Sequence, residues 1–261
     1  MQQASNRYII LFAAAVCLVC SVFVAFAAVT LKERQDANAV LDRQKKVLIV
    51  AGLLEEKAKV SAIEAQSLFD EWIVPRVVEL ATGAYDDSID AATFDQQRAL
   101  KDPAMSRSAP ENKAGLTKVP LFAQVYHVVR DDQVEQVILP VEGKGLWSTL
   151  YGFLALAPDT TSITGITFYQ HGETPGLGGE VDNASWKALW PGRQAFDENW
   201  QPAIEVIKGM AGQPAEDPYS VDGLSGATIT GRGVNQLLHY WLGEQGFGPY
   251  LERFRSQGST A

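Results

Sequence analysis

The stretch Val221–Val234, VDGLSGATITGRGV, packs four glycines, three hydroxyl side chains and one acid into fourteen residues. It runs straight into Val234, Leu237, Leu238, Trp241 and Leu242, whose i, i+3, i+4, i+7, i+8 spacing predicts an amphipathic helix with one face in a core. A helix start offers backbone N–H groups without internal partners and a positive partial charge, which together favour an anion. Gly223, Gly226, Gly231 and Gly233 precede or open that helix, and glycine lets a backbone come close to a phosphate. The same composition also describes an ordinary glycine-rich entry loop with Thr228 or Thr230 as the cap. Spacing alone leaves both readings open.

Upstream of this stretch the texture is that of a sheet. VPLFAQVYHVV, QVEQVILPV, TLYGFLALA and ITGITFYQ are β-branched and aromatic runs separated by Asp-Asp, Gly and Pro, which predicts a mostly antiparallel sheet between residues 119 and 170. NASWKALW reads as a short helix capped by Asn183, and AIEVIKG as another strand. Residues 83–117 are polar with little sustained period, a long surface connection with one short helix. Before them, Ser61 and Glu64 form a capping-box pattern ahead of AQSLFDEW, a helix that Pro75 limits. QDANAVLDRQKKVLIVAGLLEE also has helical spacing, as part of the core or as a stalk.

Farther out lies Tyr8–Val29, YIILFAAAVCLVCSVFVAFAAV, 22 residues without a charge. At helical rise they span about 33 Å, enough to cross a bilayer core. The run is longer than the apolar region of a signal peptide, although AFA offers a small-residue cleavage site, so a retained anchor is expected. Cys17 and Cys20 both fall inside it, leaving no thiol downstream for a disulfide or a thiolate metal site. In a membrane helix such a pair is small packing surface or a contact with a partner helix or redox centre. The 261-residue chain has a formal charge of −9 and 46% apolar residues, ample for a core. Its only charged side chain in residues 1–31 is Arg7, so the remainder carries −10, repels phosphate backbones and argues against nucleic acid. The class expected is α+β: a single N-terminal transmembrane helix over 1–31, a helical and loop region over 32–117, and an α+β domain over 118–261.

The order D-G-L-S-G-A-T, Asp222–Thr228, resembles the S/T-G-A-T flavinylation motif of the FMN-binding domain family. Gly143–Leu156, GKGLWSTLYGFLAL, and His171–Val181, HGETPGLGGEV, resemble the C subunits of the sodium-translocating NADH:quinone oxidoreductases (Na+-NQR), and with the single N-terminal span the resemblance covers essentially the whole chain. The Rnf-type G subunits share S-G-A-T and an E-T-P-G-like stretch but are shorter and lack the G-L-W-S passage. The resemblance implies FMN joined as a covalent phosphoester to Thr228 by a flavin transferase that recognises Asp222, Gly223, Ser225, Gly226, Ala227 and Thr228. Asp222 would serve that transfer rather than the finished site. Ser225, Gly226 and Ala227 would line the phosphate, with Lys208 pairing with it or with the flavin's polar edge.

Trp147 and Leu177 would then face the isoalloxazine, Glu173 and Thr174 would belong to a loop wrapping it, and Gly178 and Gly179 would permit close approach. The plain alternatives are a core aromatic at Trp147, a solvated turn at Glu173 and Thr174, and a solvated lysine at Lys208. His127, His171 and His239 are too scattered for a metal site and receive no role, and no catalytic residue is expected. By resemblance the chain would pass electrons from a membrane iron–sulfur centre of the D and E subunits to the flavin of the B subunit. The complex would hold the A, B, D, E and F subunits beside it, with membrane lipid around the anchor, in a bacterial inner membrane. The rivals are an Rnf-type G subunit and a membrane-tethered binding domain that is never flavinylated. Arg7 and the α-amine precede the span, whereas Lys32, Arg34, Arg43, Lys45 and Lys46 follow it. By the positive-inside count that favours a cytoplasmic domain, whereas the resemblance implies a periplasmic one.

Overall fold

A computed structural model of the chain describes residues 6–257; the α-amine counted with Arg7 ahead of the span lies outside them. Helix α1 covers Asn6–Val50, and its apolar part, with a mean hydropathy of 3.0, is long and apolar enough to cross a membrane. The chain divides into two units, the first reaching Asp42 and the second beginning at Arg43. In the second unit Val47, Leu48 and Val50 of the last turns of α1 are buried. The helix stops there because Gly52, at φ +73°, closes a Schellman-type end: the Gly52 N–H donates to Ile49 O and the Leu53 N–H to Leu48 O.

Helix α2 (Ala62–Trp72) begins with the expected reciprocal capping box, the Glu64 N–H donating to Ser61 Oγ and the Ser61 N–H to the Glu64 carboxylate. From sequence, Pro75 only limits this helix. In the structure α2 turns at Ile73 directly into strand β1 (Ile73–Glu79), which Pro75 occupies. The strand lies at the edge of the sheet, where the missing N–H of proline breaks no ladder.

The long connection holds α3 (Gln96–Ala99), capped by Asp95, and the short pair β2 (Ser106–Ser108) and β3 (Lys118–Pro120). Then follow β4 (Phe122–Arg130), β5 (Gln133–Lys144), β6 (Thr149–Leu156) and β7 (Ile163–Gln170). The sheet order is β1-β4-β5-β6-β7, all antiparallel, in keeping with the alternating runs of the sequence. Asp131 and Asp132, at φ +49° and +60°, make the two-residue turn between β4 and β5, the primed geometry that matches strand twist.

After β7 come a 3₁₀ turn (Gly178–Asp182), α4 (Ala184–Lys187) capped by Asn183, and two-residue strands β8 (Glu205–Val206) and β9 (Ser220–Val221), which pair in parallel. The predicted strand over AIEVIKG thus shrinks to two residues. Helices α5 (Thr228–Leu242) and α6 (Gly248–Gln257) close the domain. The predicted stripe on α5 is wholly buried and packs on β5. Gly143 makes that approach possible, since a Cβ there would meet Leu237 Cβ at 2.5 Å, and the Trp241 indole N–H donates to Glu142 O at 2.7 Å across the same junction.

Candidate functional site

The S-G-A-T residues sit where strand β9 ends and α5 begins. Asp222 is braced from two sides, its carbonyl accepting the Trp186 indole N–H at 2.9 Å and its carboxylate the Ala211 N–H at 2.8 Å. The Gly223 N–H donates to Gly209 O, and a Cβ on Gly223 would lie 2.3 Å from Ile207 O, so only glycine fits between the two walls. Gly226, at φ +70°, turns the chain into the helix. The N-cap is Ala227, whose side chain cannot accept a hydrogen bond, so the first turn of α5 opens without a side-chain cap.

That opening faces a cleft of ≈ 520 Å³ whose walls include Lys208, Asp222, Gly223, Ser225, Gly226 and Thr228. The floor is tied down by Asn235, whose amide exchanges two hydrogen bonds with the Val206 backbone, fixing α5 against β8. Arg232 and Met210 also line the cleft. Neither stands out in the sequence as a site residue. Arg232 could have been found by its spacing, four residues beyond Thr228 and so on the same helical face, whereas nothing local marks Met210.

The other predicted residues form a second assembly centred on Glu173, which is buried. Its carboxylate accepts the N–H groups of Leu146, Trp147 and Ser148 and, at 2.6 Å, the hydroxyl of Thr230. Burial pushes this carboxyl up, but the Thr230 hydroxyl and the three backbone donors outweigh it and hold it below its ordinary value. Gly145 and Gly178 have bare Cα atoms because the Glu173 carboxylate fills the space: a Cβ would fall 2.7 and 2.6 Å from its oxygens.

Glu173 therefore binds protein, and shapes the hairpin loop that presents Trp147. Trp147 itself is 70% exposed, which removes the reading of a core aromatic. Thr174 is exposed, and its carbonyl accepts the N–H groups of Leu177 and Gly179 in a turn that Gly176 closes at φ +75°. Leu177 is 44% exposed and meets the cleft at Gly226, where a Cβ would lie 2.9 Å from Leu177 Cδ2.

Helix α5 joins the two assemblies. Thr228 is exposed toward the cleft, while Thr230 is fully buried with its hydroxyl given to Glu173. The arrangement combines an uncapped helix start, two exposed cations, a glycine-lined wall and exposed apolar side chains, a donor set that fits a phosphorylated ligand with a flat apolar ring.

An α+β domain of this kind, following a helix apolar enough for a membrane, is matched over residues 145–243 by the FMN-binding domain family. The chain is 48% identical to the C subunit of the Na(+)-translocating NADH-quinone reductase of Pseudomonas aeruginosa over 97% of either chain, and 48% identical to that of Vibrio parahaemolyticus over 92% of either. The structure is similar to that of Shewanella oneidensis NqrC, with a TM-score of 0.76 at 33% identity over 82% of this chain and 97% of that one. The C subunit of the Parabacteroides distasonis reductase gives 0.64 at 27% identity over 85% and 96%. The chain belongs to the family of C subunits of the Na(+)-translocating NADH-quinone reductases, an oxidoreductase complex.

Proposed function

We propose that this chain carries FMN as a phosphoester on Thr228 and serves as an electron relay within the complex. The observation that carries the attachment is the contrast between two threonines on one helical turn. Thr228 opens onto the cleft, whereas Thr230 is buried and its hydroxyl is already committed to Glu173. When bound, FMN supplies one-electron chemistry at its isoalloxazine. The chain's own residues bind and orient. The first-turn N–H groups of α5, with Ser225, Gly226 and Ala227, receive the phosphate, and Lys208 offsets its charge. Trp147 and Leu177 flank the ring from two loops, with Thr174 beside it and Gly178 and Gly179 keeping their loop close.

In this reading the domain receives an electron from an iron–sulfur centre of the D and E subunits and passes it to the flavin of the B subunit, with A and F completing the complex. Residues 1–31 anchor the chain in the inner membrane, 118–261 bind FMN, and 32–117 lead into that domain while contributing β1 to its sheet. The soluble part is periplasmic, where a flavin transferase reads Asp222–Thr228. Family membership supports the place in the complex, and the apolar helix found among the described residues supports the anchor. Peptide mass mapping of the chain coexpressed with a flavin transferase should find FMN, less one water, on Thr228. Thr228→Ala should remove the covalent colour and leave the fold intact. The mass on Thr230, or no added mass, overturns the attachment.

A further inference from the structure

Two cations reach the cleft from different parts of the chain, Lys208 from the segment after β8 and Arg232 from the second turn of α5. Thr228, Arg232 and Asn235 lie at i, i+4 and i+7 and line the cleft together, so the guanidinium stands on the same helical face as the attachment hydroxyl. Both cations are exposed, and among the described residues neither lies within ion-pair distance of a carboxylate. Asp222, the acid of the cleft, has its carboxylate engaged by the Ala211 N–H.

Arg232 lies in the second turn of α5, past the first turn over which the helix dipole acts, so that field does not hold or repel it strongly. The guanidinium thus stands at the cleft with no protein anion beside it among the described residues. A phosphodiester on Thr228 would supply that anion. Such a group keeps one negative charge over two non-bridging oxygens, a pattern that the planar fork of a guanidinium matches with two parallel hydrogen bonds and an ammonium does not.

We propose that Arg232 is the counter-ion of the phosphodiester on Thr228, a phosphate-positioning residue acting beside Lys208. The inference rests on the attachment reading above. It implies that Arg232→Lys is not equivalent to wild type, and that unloaded protein is indifferent to the side chain, since Arg232 is exposed and pairs with nothing there.

The full-length chain in detergent, with ¹⁵N-labelled arginine, provides the test. In flavinylated wild type the Arg232 Nε–H should exchange with solvent at least ten-fold more slowly than in unloaded Thr228→Ala. The ³¹P resonance of the phosphodiester should move in Arg232→Gln and in Arg232→Lys. The gain in melting temperature on flavinylation should fall by half or more in Arg232→Gln, while unloaded Arg232→Gln melts with unloaded wild type. Equal Arg232 exchange in the loaded and unloaded proteins overturns the inference and leaves the attachment standing; this comparison needs no Arg232 variant. A wild type that carries no flavin mass overturns the attachment itself, and the inference with it.

Discussion

Trp147 shows how much a single side chain's surroundings decide. Its neighbours in G-K-G-L-W-S include two glycines and a serine, and a lone indole in such a setting reads equally as a packed aromatic or as a ring platform. The structure leaves it 70% exposed on a hairpin loop, with its backbone N–H given to Glu173 at 2.9 Å. An indole so placed contributes little to the unloaded fold, so Trp147→Ala should shift the stability of unflavinylated protein by less than about 0.5 kcal/mol. On the attachment proposed above, the same change should alter flavin absorbance, fluorescence and reduction potential, because ring stacking would be lost while the covalent bond would hold the cofactor in place. A drop of several kcal/mol in the unloaded form, with an unchanged flavin spectrum, would return Trp147 to the core.

At the scale of elements, Glu173 is the joint between the β5–β6 hairpin, the loop after β7 and the start of α5. Its carboxylate takes one hydrogen bond from Thr230 and three from consecutive backbone N–H groups, and two glycines make room for it. Glu173→Gln puts an NH₂ where a donor already points, so one or more of these groups loses its acceptor. Each buried donor left without one costs about 1–3 kcal/mol. Thermal melting of unloaded Glu173→Gln should therefore show a loss of that order, and Trp147 fluorescence should report a loosened loop. Thr230→Val, which removes one donor and leaves the backbone three, should cost less. Equal stability of Glu173→Gln and wild type would mean that the joint holds nothing together.

Across the whole molecule the two sheet faces bury titratable groups of opposite sign. His127, on β4 and against Tyr250 of α6, is pushed down to about 4, first by burial and then by Arg76. Glu142, on the other face among Arg43, Tyr126, Tyr151 and Tyr169, is pushed up to about 7 by burial. A raised carboxyl gives stability that is full below its unfolded value of 4.5 and is lost as pH climbs through about 7. A depressed imidazole acts the other way, its contribution full above 6.5 and lost as pH falls toward about 4. Each is worth on the order of 3 kcal/mol, and over the shared window the two slopes offset one another. Wild type should therefore melt at nearly constant temperature between about pH 4.5 and 6.5. Glu142→Gln removes one slope and exposes the other, so its melting temperature should climb with pH across that window. A wild type that climbs with pH as steeply as the variant would show that Glu142 ionises as an ordinary carboxylate, and a variant as flat as wild type would show that neither group is shifted.

What depends on near neighbours was legible along the chain. The apolar helix, the capping box at Ser61, the four long strands, the buried stripe of α5 and the S-G-A-T start of that helix are all written in spacings of two, three or four residues, the periods that a strand or helix imposes locally. Tertiary structure alone decided what depends on pairing across the chain. Strand β1 was hidden behind Pro75 because only its edge position beside β4 makes that proline harmless. Glu173 reaches Thr230 across 57 residues, and Lys208 meets Arg232 at one cleft only because β8 and β9 lie side by side. Local pattern says which way a side chain points from its own element; what stands opposite it is set by the order of strands and the packing of a helix on them, since burial and hydrogen bonding act through space and not along the chain.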